Sequence, residues 1–224
     1  MKHLFSVFQS KYFYLLVSLI CYFIGTPFLV HKQISNFIIS TLLSIFIVLC
    51  INLISAKRFL LYSSIALGII ALMTYWIMSY SGMSERLAFI HYSTILVFLV
   101  IMTYYVISAV AEQKHITTDS LLGAICGYFM LGLLWSQIYL LIDAVNPYAF
   151  SNHYIATSIR DHVQHFIYYS FQTITTLGFG DILPASDVAR TFSWLEAVTG
   201  QIYLAVWISQ LVGLRIAQAV NGKN

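Results

Sequence analysis

Two glycines stand two residues apart in the run Thr176-Leu177-Gly178-Phe179-Gly180-Asp181. Glycine adopts positive φ without a Cβ clash, so such a run can alternate the sign of its backbone angles. Alternation points successive carbonyl oxygens at one axis. A row of carbonyls, with the Thr176 hydroxyl as its innermost member, can replace the water shell of a bare monovalent cation. Leu177 and Phe179 would then turn away from the axis and brace the run against a preceding helix. The expected ion ligands are Thr176, Leu177, Gly178, Phe179 and Gly180. Gln172, Thr175 and Asp181 are the expected supports.

The elements that must position this run are legible around it. Residues 162–176 are apolar and aromatic but too short to cross a membrane, which takes about 20 apolar residues. They suit a helix that dips into the bilayer and stops. Non-helical backbone at that depth is tolerated where it lines a water- or ion-filled path. The C-terminal end of such a helix carries partial negative charge, which favours a cation beyond it.

Composition sets the surrounding solvent. Of the 224 residues 60% are hydrophobic and 8% charged, with mean hydropathy +0.84. A soluble domain carries roughly a quarter of its residues as charges, so lipid must surround most of this chain. Six apolar runs meet or approach spanning length: 12–30, 34–55, 59–80, 87–110, 120–142 and 188–214. The first follows Lys2 and Lys11 as a signal peptide would, but no small-residue cleavage site closes it, and it reads as a span. The fold class expected is an all-α membrane protein of six transmembrane helices plus a re-entrant helix and its loop. Residues 1–112 form a four-helix membrane domain and 113–224 a second domain holding the Gly-Phe-Gly run.

Basic residues gather on the cytoplasmic side of a membrane protein. With the N-terminus inside, Lys2, Lys11, Lys57, Arg58, Lys114, Arg215 and Lys223 lie inside, and Lys32, Arg86, Arg160 and Arg190 outside. Both termini are then cytoplasmic, and the 143–187 segment is external.

The sequence Ser170-Phe171-Gln172-Thr173-Ile174-Thr175-Thr176-Leu177-Gly178-Phe179-Gly180-Asp181 resembles the pore loop of the tetrameric potassium channels. The likeness runs over residues 120–218. Pro184, Arg190 and Gly200 stand where that family has an outer-mouth proline, an arginine opening the inner helix, and a hinge glycine. Glu196-Ala-Val-Thr-Gly-Gln-Ile-Tyr-Leu-Ala-Val is similar to prokaryotic members, which implies a plasma membrane, the bacterial inner membrane. The resemblance implies potassium conduction through a homotetramer among membrane lipids, with no cofactor beyond the permeant ion and no enzyme activity. Leu177 and Phe179 replace the usual Val and Tyr. Gln172 stands where some relatives have a Glu.

The six-span layout resembles voltage-gated channels, yet residues 87–110 hold no Lys or Arg. Each charge crossing 100 mV is worth about 2.3 kcal/mol, and steep gating needs several per subunit. A charged voltage sensor is therefore not expected. Gly200 in the last run is either a bending point or a close-packing position. Leu204, Ala205 and Ile208 are inner-helix cavity candidates by helical spacing. Glu196, about two turns from Arg190, is an intramembrane carboxylate and so a functional candidate. With Arg190 it is a coupling candidate, able to tie the last helix to the back of the re-entrant one; interfacial solvation is the plainer reading. His153, His162 and His165 in the external segment could sense acid. Gly123-x-x-x-Gly127 marks close helix packing.

Other classes fit less well. Cys21, Cys50 and Cys126 lie in separate apolar runs, without CxxC spacing, and read as buried thiols. Only His91 falls inside a predicted span, so no haem cage can be drawn. A secondary transporter would show paired broken helices. No basic run interleaves with aromatics, so nucleic acid is not an expected partner. The alternative function is a weakly selective cation channel or, from a different class, a membrane redox or transport protein.

Overall fold

The computed structural model describes residues 10–28, 32–53, 58–81, 84–113, 117–151 and 159–221. His153 lies outside these residues, as do Lys2, Lys57, Lys114 and Lys223 of the orientation argument. Among the described residues the regular elements are helices: α1 (Lys11–Phe28), α2 (Lys32–Leu53), α3 (Arg58–Ser81), α4 (Glu85–Ala111), α5 (Thr118–Val145), α6 (Ile159–Ile174) and α7 (Asp187–Asn221). Three stretches, Arg58–Met78, Arg86–Ala111 and Thr118–Val145, are long and apolar enough to cross a membrane. Side chains such as Ile69, Met73, Ile77 and Tyr104 stay exposed on α3 and α4, as lipid-facing surfaces do.

The helix starts follow local chemistry. Ser84 caps α4 by accepting a hydrogen bond from the Leu87 amide. Thr117 caps α5 in a reciprocal box with Ser120, satisfying two amides that no helical carbonyl can reach. Ser10, just before α1, donates to Asp119 in the first turn of α5.

Helix α5 organises the packing. It lies against α1, α4, α6 and α7, while α2 and α3 complete the chain of neighbours from α1 round to α4. Glycines permit the closest approaches. A Cβ on Gly123 would stand 2.5 Å from Val110 and 3.3 Å from Tyr12, and one on Gly127 would stand 2.6 Å from the Tyr203 hydroxyl. The expected close packing at this glycine pair is therefore present, toward α1, α4 and α7. One buried cluster joins Leu15 and Leu19 of α1, Phe46 and Cys50 of α2, Met102 and Val106 of α4, Cys126 and Met130 of α5, and Trp207 of α7. A second, aromatic cluster gathers Tyr92, Tyr139, Phe150, Phe166 and Tyr169 near the loops. Of the three thiols, Cys50 and Cys126 are buried, but Cys21 is exposed on α1, contrary to expectation.

Candidate functional site

Helix α6 ends where its sequence stops being apolar. The Thr175 amide donates to the Phe171 carbonyl at 3.2 Å and the Thr176 amide to the Thr173 carbonyl at 2.9 Å. Beyond this last tight turn the chain is neither helix nor strand. Positive φ occurs at Thr176 (59°), Gly178 (56°) and Gly180 (79°), and every described peptide bond is trans. The two glycines behave as their lack of a Cβ predicts. Thr176 is the surprise, because a β-branched residue at positive φ is a genuine outlier costing about 1–3 kcal/mol. Its amide bond to Thr173 and its hydroxyl, which donates to the Thr175 carbonyl at 2.7 Å, help hold it there.

The direction of the carbonyls follows from the amides. The Leu177 and Gly178 amides both donate to the Gln172 carbonyl, at 2.8 and 3.1 Å. The Phe179 amide donates to Gln172 Oε1 at 3.0 Å. In a planar trans peptide the carbonyl points opposite to the amide that follows it. The carbonyls of Thr176, Leu177 and Gly178 therefore all point away from Gln172, toward one side. Leu177 is 58% exposed and Phe179 66%. Within this chain they are not braced by α6, which differs from the expected packing; what anchors the run is the Gln172 main chain and amide.

Gln172 also reaches the end of the run, its Nε2 donating to Asp181 Oδ1 at 3.2 Å. The Ile182 amide donates to the same oxygen at 3.1 Å. A hydrogen bond from Tyr168, followed by that from Gln172, holds the Asp181 carboxyl below its usual range. A lowered carboxyl keeps its charge, and the bonds made by that charge, until the pH falls below the ordinary Asp range. External acidification from pH 7 to 5 is thus expected to leave any Asp181-dependent conductance unchanged. A conductance drop in that window that Asp181→Asn abolishes would contradict this.

Behind the run lies a buried carboxylate. Glu196 on α7 is fully buried and accepts hydrogen bonds from Tyr139 of α5 and Ser170 of α6, each at 2.5 Å. The Ser170 hydroxyl also lies 2.7 Å from the Gly132 carbonyl of α5, so its single proton is shared between that oxygen and Glu196. One side chain so joins three helices at the back of α6. Its partner Tyr139 was not legible as a site residue; its aromatic character alone carries no signal. Losing both bonds, as in Glu196→Ala, should destabilise the protein by about 3 kcal/mol, read as a lower thermal midpoint in detergent. Glu196→Gln, which keeps one acceptor oxygen and offers an NH2 to the other hydroxyl, should lose less.

Gly200 lies one turn further along the same buried face of α7. A Cβ there would stand 2.4 Å from the Ile174 carbonyl oxygen and 2.6 Å from Ile174 Cγ1. Tyr203, on that face, donates to the Ala124 carbonyl at 2.6 Å. Leu204, Ala205 and Ile208 are exposed along α7. Arg190 is not brought to Glu196: its Nε donates to the Pro184 carbonyl at 3.2 Å and its guanidinium lies 3.6 Å from Asp187.

The loops flanking α6 are stitched together. Phe150 and Pro184 form an isolated antiparallel bridge, and the Ser151 amide donates to the Leu183 carbonyl at 2.8 Å. His162 Nε2 lies 2.8 Å from Asp143 and its Nδ1 3.3 Å from the Tyr92 hydroxyl. His165 is half-buried, and burial and the neighbouring His162 lower its affinity for a proton. His91 shares a hydrogen bond of 2.9 Å with Thr74. Among the described residues no group of three His, Cys, Asp or Glu is placed to hold a metal ion.

Residues 127–214, from α5 into α7, match the family model described as "Ion channel". A 111-residue stretch is 24% identical to a protein named potassium channel K2 of Plasmodium berghei (strain Anka), covering 44% of this chain and 8% of that protein. The chain thus spans a small fraction of that relative's length. No solved structure matches. The likeness to ion channels covers residues 127–214, and the apolar helices around it suit a membrane.

Proposed function

We propose that the chain is one subunit of a potassium-selective channel, with K+ passing along the carbonyls of Thr176 to Gly180. The observation that carries this reading is the row of same-side carbonyls at Thr176, Leu177 and Gly178, held by three amides on Gln172. One chain supplies one wall of such a path. Four copies in a closed ring would surround the ion with carbonyls in successive layers. The exposed side chains of Leu177, Phe179, Val198, Ile202 and Ile208 offer the apolar surface that neighbouring subunits would cover. In this homotetramer six helices of each chain cross the membrane, α6 re-enters, and both termini are cytoplasmic. The bacterial inner membrane is the setting. The helices α1–α4 occupy the position of a voltage sensor without its charges, since α4 has no Lys or Arg beyond Arg86 at its start.

The test is a reversal potential in liposomes with a K+ gradient and Na+ as the balancing cation. A selective pore follows K+ at about 59 mV per tenfold gradient, at all voltages. A reversal near 0 mV would identify a weakly selective cation pore instead.

A further inference from the structure

Between α1–α5 and the flank of α6 lies a cavity of about 60 Å³. Its wall is mostly leucine, isoleucine and phenylalanine, but Gln137 of α5 and Gln164 of α6 also line it. Gln137 is 4% exposed. Its Oε1 and the Nε2 of Gln164 are buried with no hydrogen-bond partner. Buried polar atoms in native proteins are nearly always bonded. An orphan acceptor on α5 and an orphan donor on α6, at one apolar cavity, form a complementary pair that awaits a third group.

We infer that this cavity binds a small neutral amphiphile, a short-chain alcohol or amide, whose polar head bridges Gln137 and Gln164. Such a head donates to Gln137 Oε1 and accepts from Gln164 Nε2, while its chain lies on the wall formed by Phe98, Leu133 and Ile167. The size agrees. A water needs about 10–15 Å³ of such space, and a cavity of about 150 Å³ takes the six heavy atoms of benzene, so an occupant of about two to four heavy atoms fits here. The wall is mostly carbon, with polar atoms at Tyr22, Tyr75, His91, Gln137 and Gln164, so an occupant that pairs a carbon chain with one polar head matches it better than water alone. A charged ligand would find no ion partner on the wall, where His91 is the one titratable nitrogen and already shares a hydrogen bond with Thr74. Because α6 leads directly into Thr176, an occupant touching Gln164 touches the element that carries the carbonyl row.

The probe is 2-fluoroethanol, which has four heavy atoms, followed by fluorine NMR on the full chain in detergent. This readout needs no ion flux, so its outcome is independent of whether the chain conducts K+. A saturable broadening of the fluorine line is expected with the native protein. It should be lost in Gln137→Leu, which removes the acceptor, and in Ala71→Leu, which fills the cavity from α3 and leaves both glutamines intact. Ala71 is itself buried on the cavity wall. Broadening that is non-saturable, or equal in Ala71→Leu, means micelle partitioning only and overturns the site. No broadening in the native protein overturns it as well, and assigns the cavity to water.

Discussion

Gln172→Leu is expected to lower K+ over Na+ permeability about tenfold or more while leaving an assembled, ion-permeable protein. The reason is where the lost atoms sit. Gln172 Oε1 takes the Phe179 amide and Nε2 donates to Asp181, so leucine releases both ends of the outer half of the run. Leaving one such polar group unmatched costs about 1–3 kcal/mol, and 1.4 kcal/mol is a factor of ten. The Gln172 carbonyl, which holds Leu177 and Gly178, survives the substitution, so the inner half keeps its direction. Gln172→Glu separates the two roles. It still accepts from Phe179, but it sets a second carboxylate against Asp181, and like charges at one site raise one pKa. Its selectivity should therefore improve as external pH falls from 7 to 5, when one proton restores a bond between the two acids. Reversal potentials indistinguishable from native in both variants, across that range, would remove Gln172 from the site.

Gly200→Ala is the second substitution with a large expected effect, and two opposing terms decide its sign. Alanine gains up to about 1 kcal/mol of helix propensity over glycine. Against this, the new methyl would meet a backbone oxygen at 2.4 Å, and overpacking costs about 1–3 kcal/mol. The contact is with main chain at the end of α6, which cannot swing aside as a flexible side chain would. The net expectation is a loss of about 1–2 kcal/mol, with the C-terminal end of α6 pushed off α7 and Thr176 moved with it. A lower thermal midpoint in detergent together with disturbed selectivity supports packing at Gly200. Unchanged midpoint and selectivity with altered open probability supports bending instead.

Much of the site was legible because it is local. The glycines at 178 and 180 announce positive φ by their chemistry, and Gln172 to Asp181 spans only nine residues. Thr176 at φ 59° was not legible, since nothing in a threonine advertises a conformation it disfavours. The convergence of three amides on Gln172 depends on how α6 ends, which propensity does not set. Glu196 stood out as a carboxylate in an apolar run, but its partners come from α5 and α6, 57 and 26 residues away. The helices α1–α7 follow the six apolar runs and the short seventh closely, because lipid forces every backbone group into helical bonds. Which helix faces which is a matter of side-chain fit, and there the seat of α1 and α4 on α5 went unseen.

That seat of α5 has a consequence for how the protein melts. Leu15, Met102, Met130 and Trp207 belong to one buried cluster, so the break near residue 113 divides the chain in sequence and not in its core. Pulling α1 or α4 off would strip Cys126 and Met130 on α5, and with them the backing of α6 and α7. Cooperativity follows contiguity of buried surface. The front helices and the carbonyl row then rise and fall together, as a single foldon.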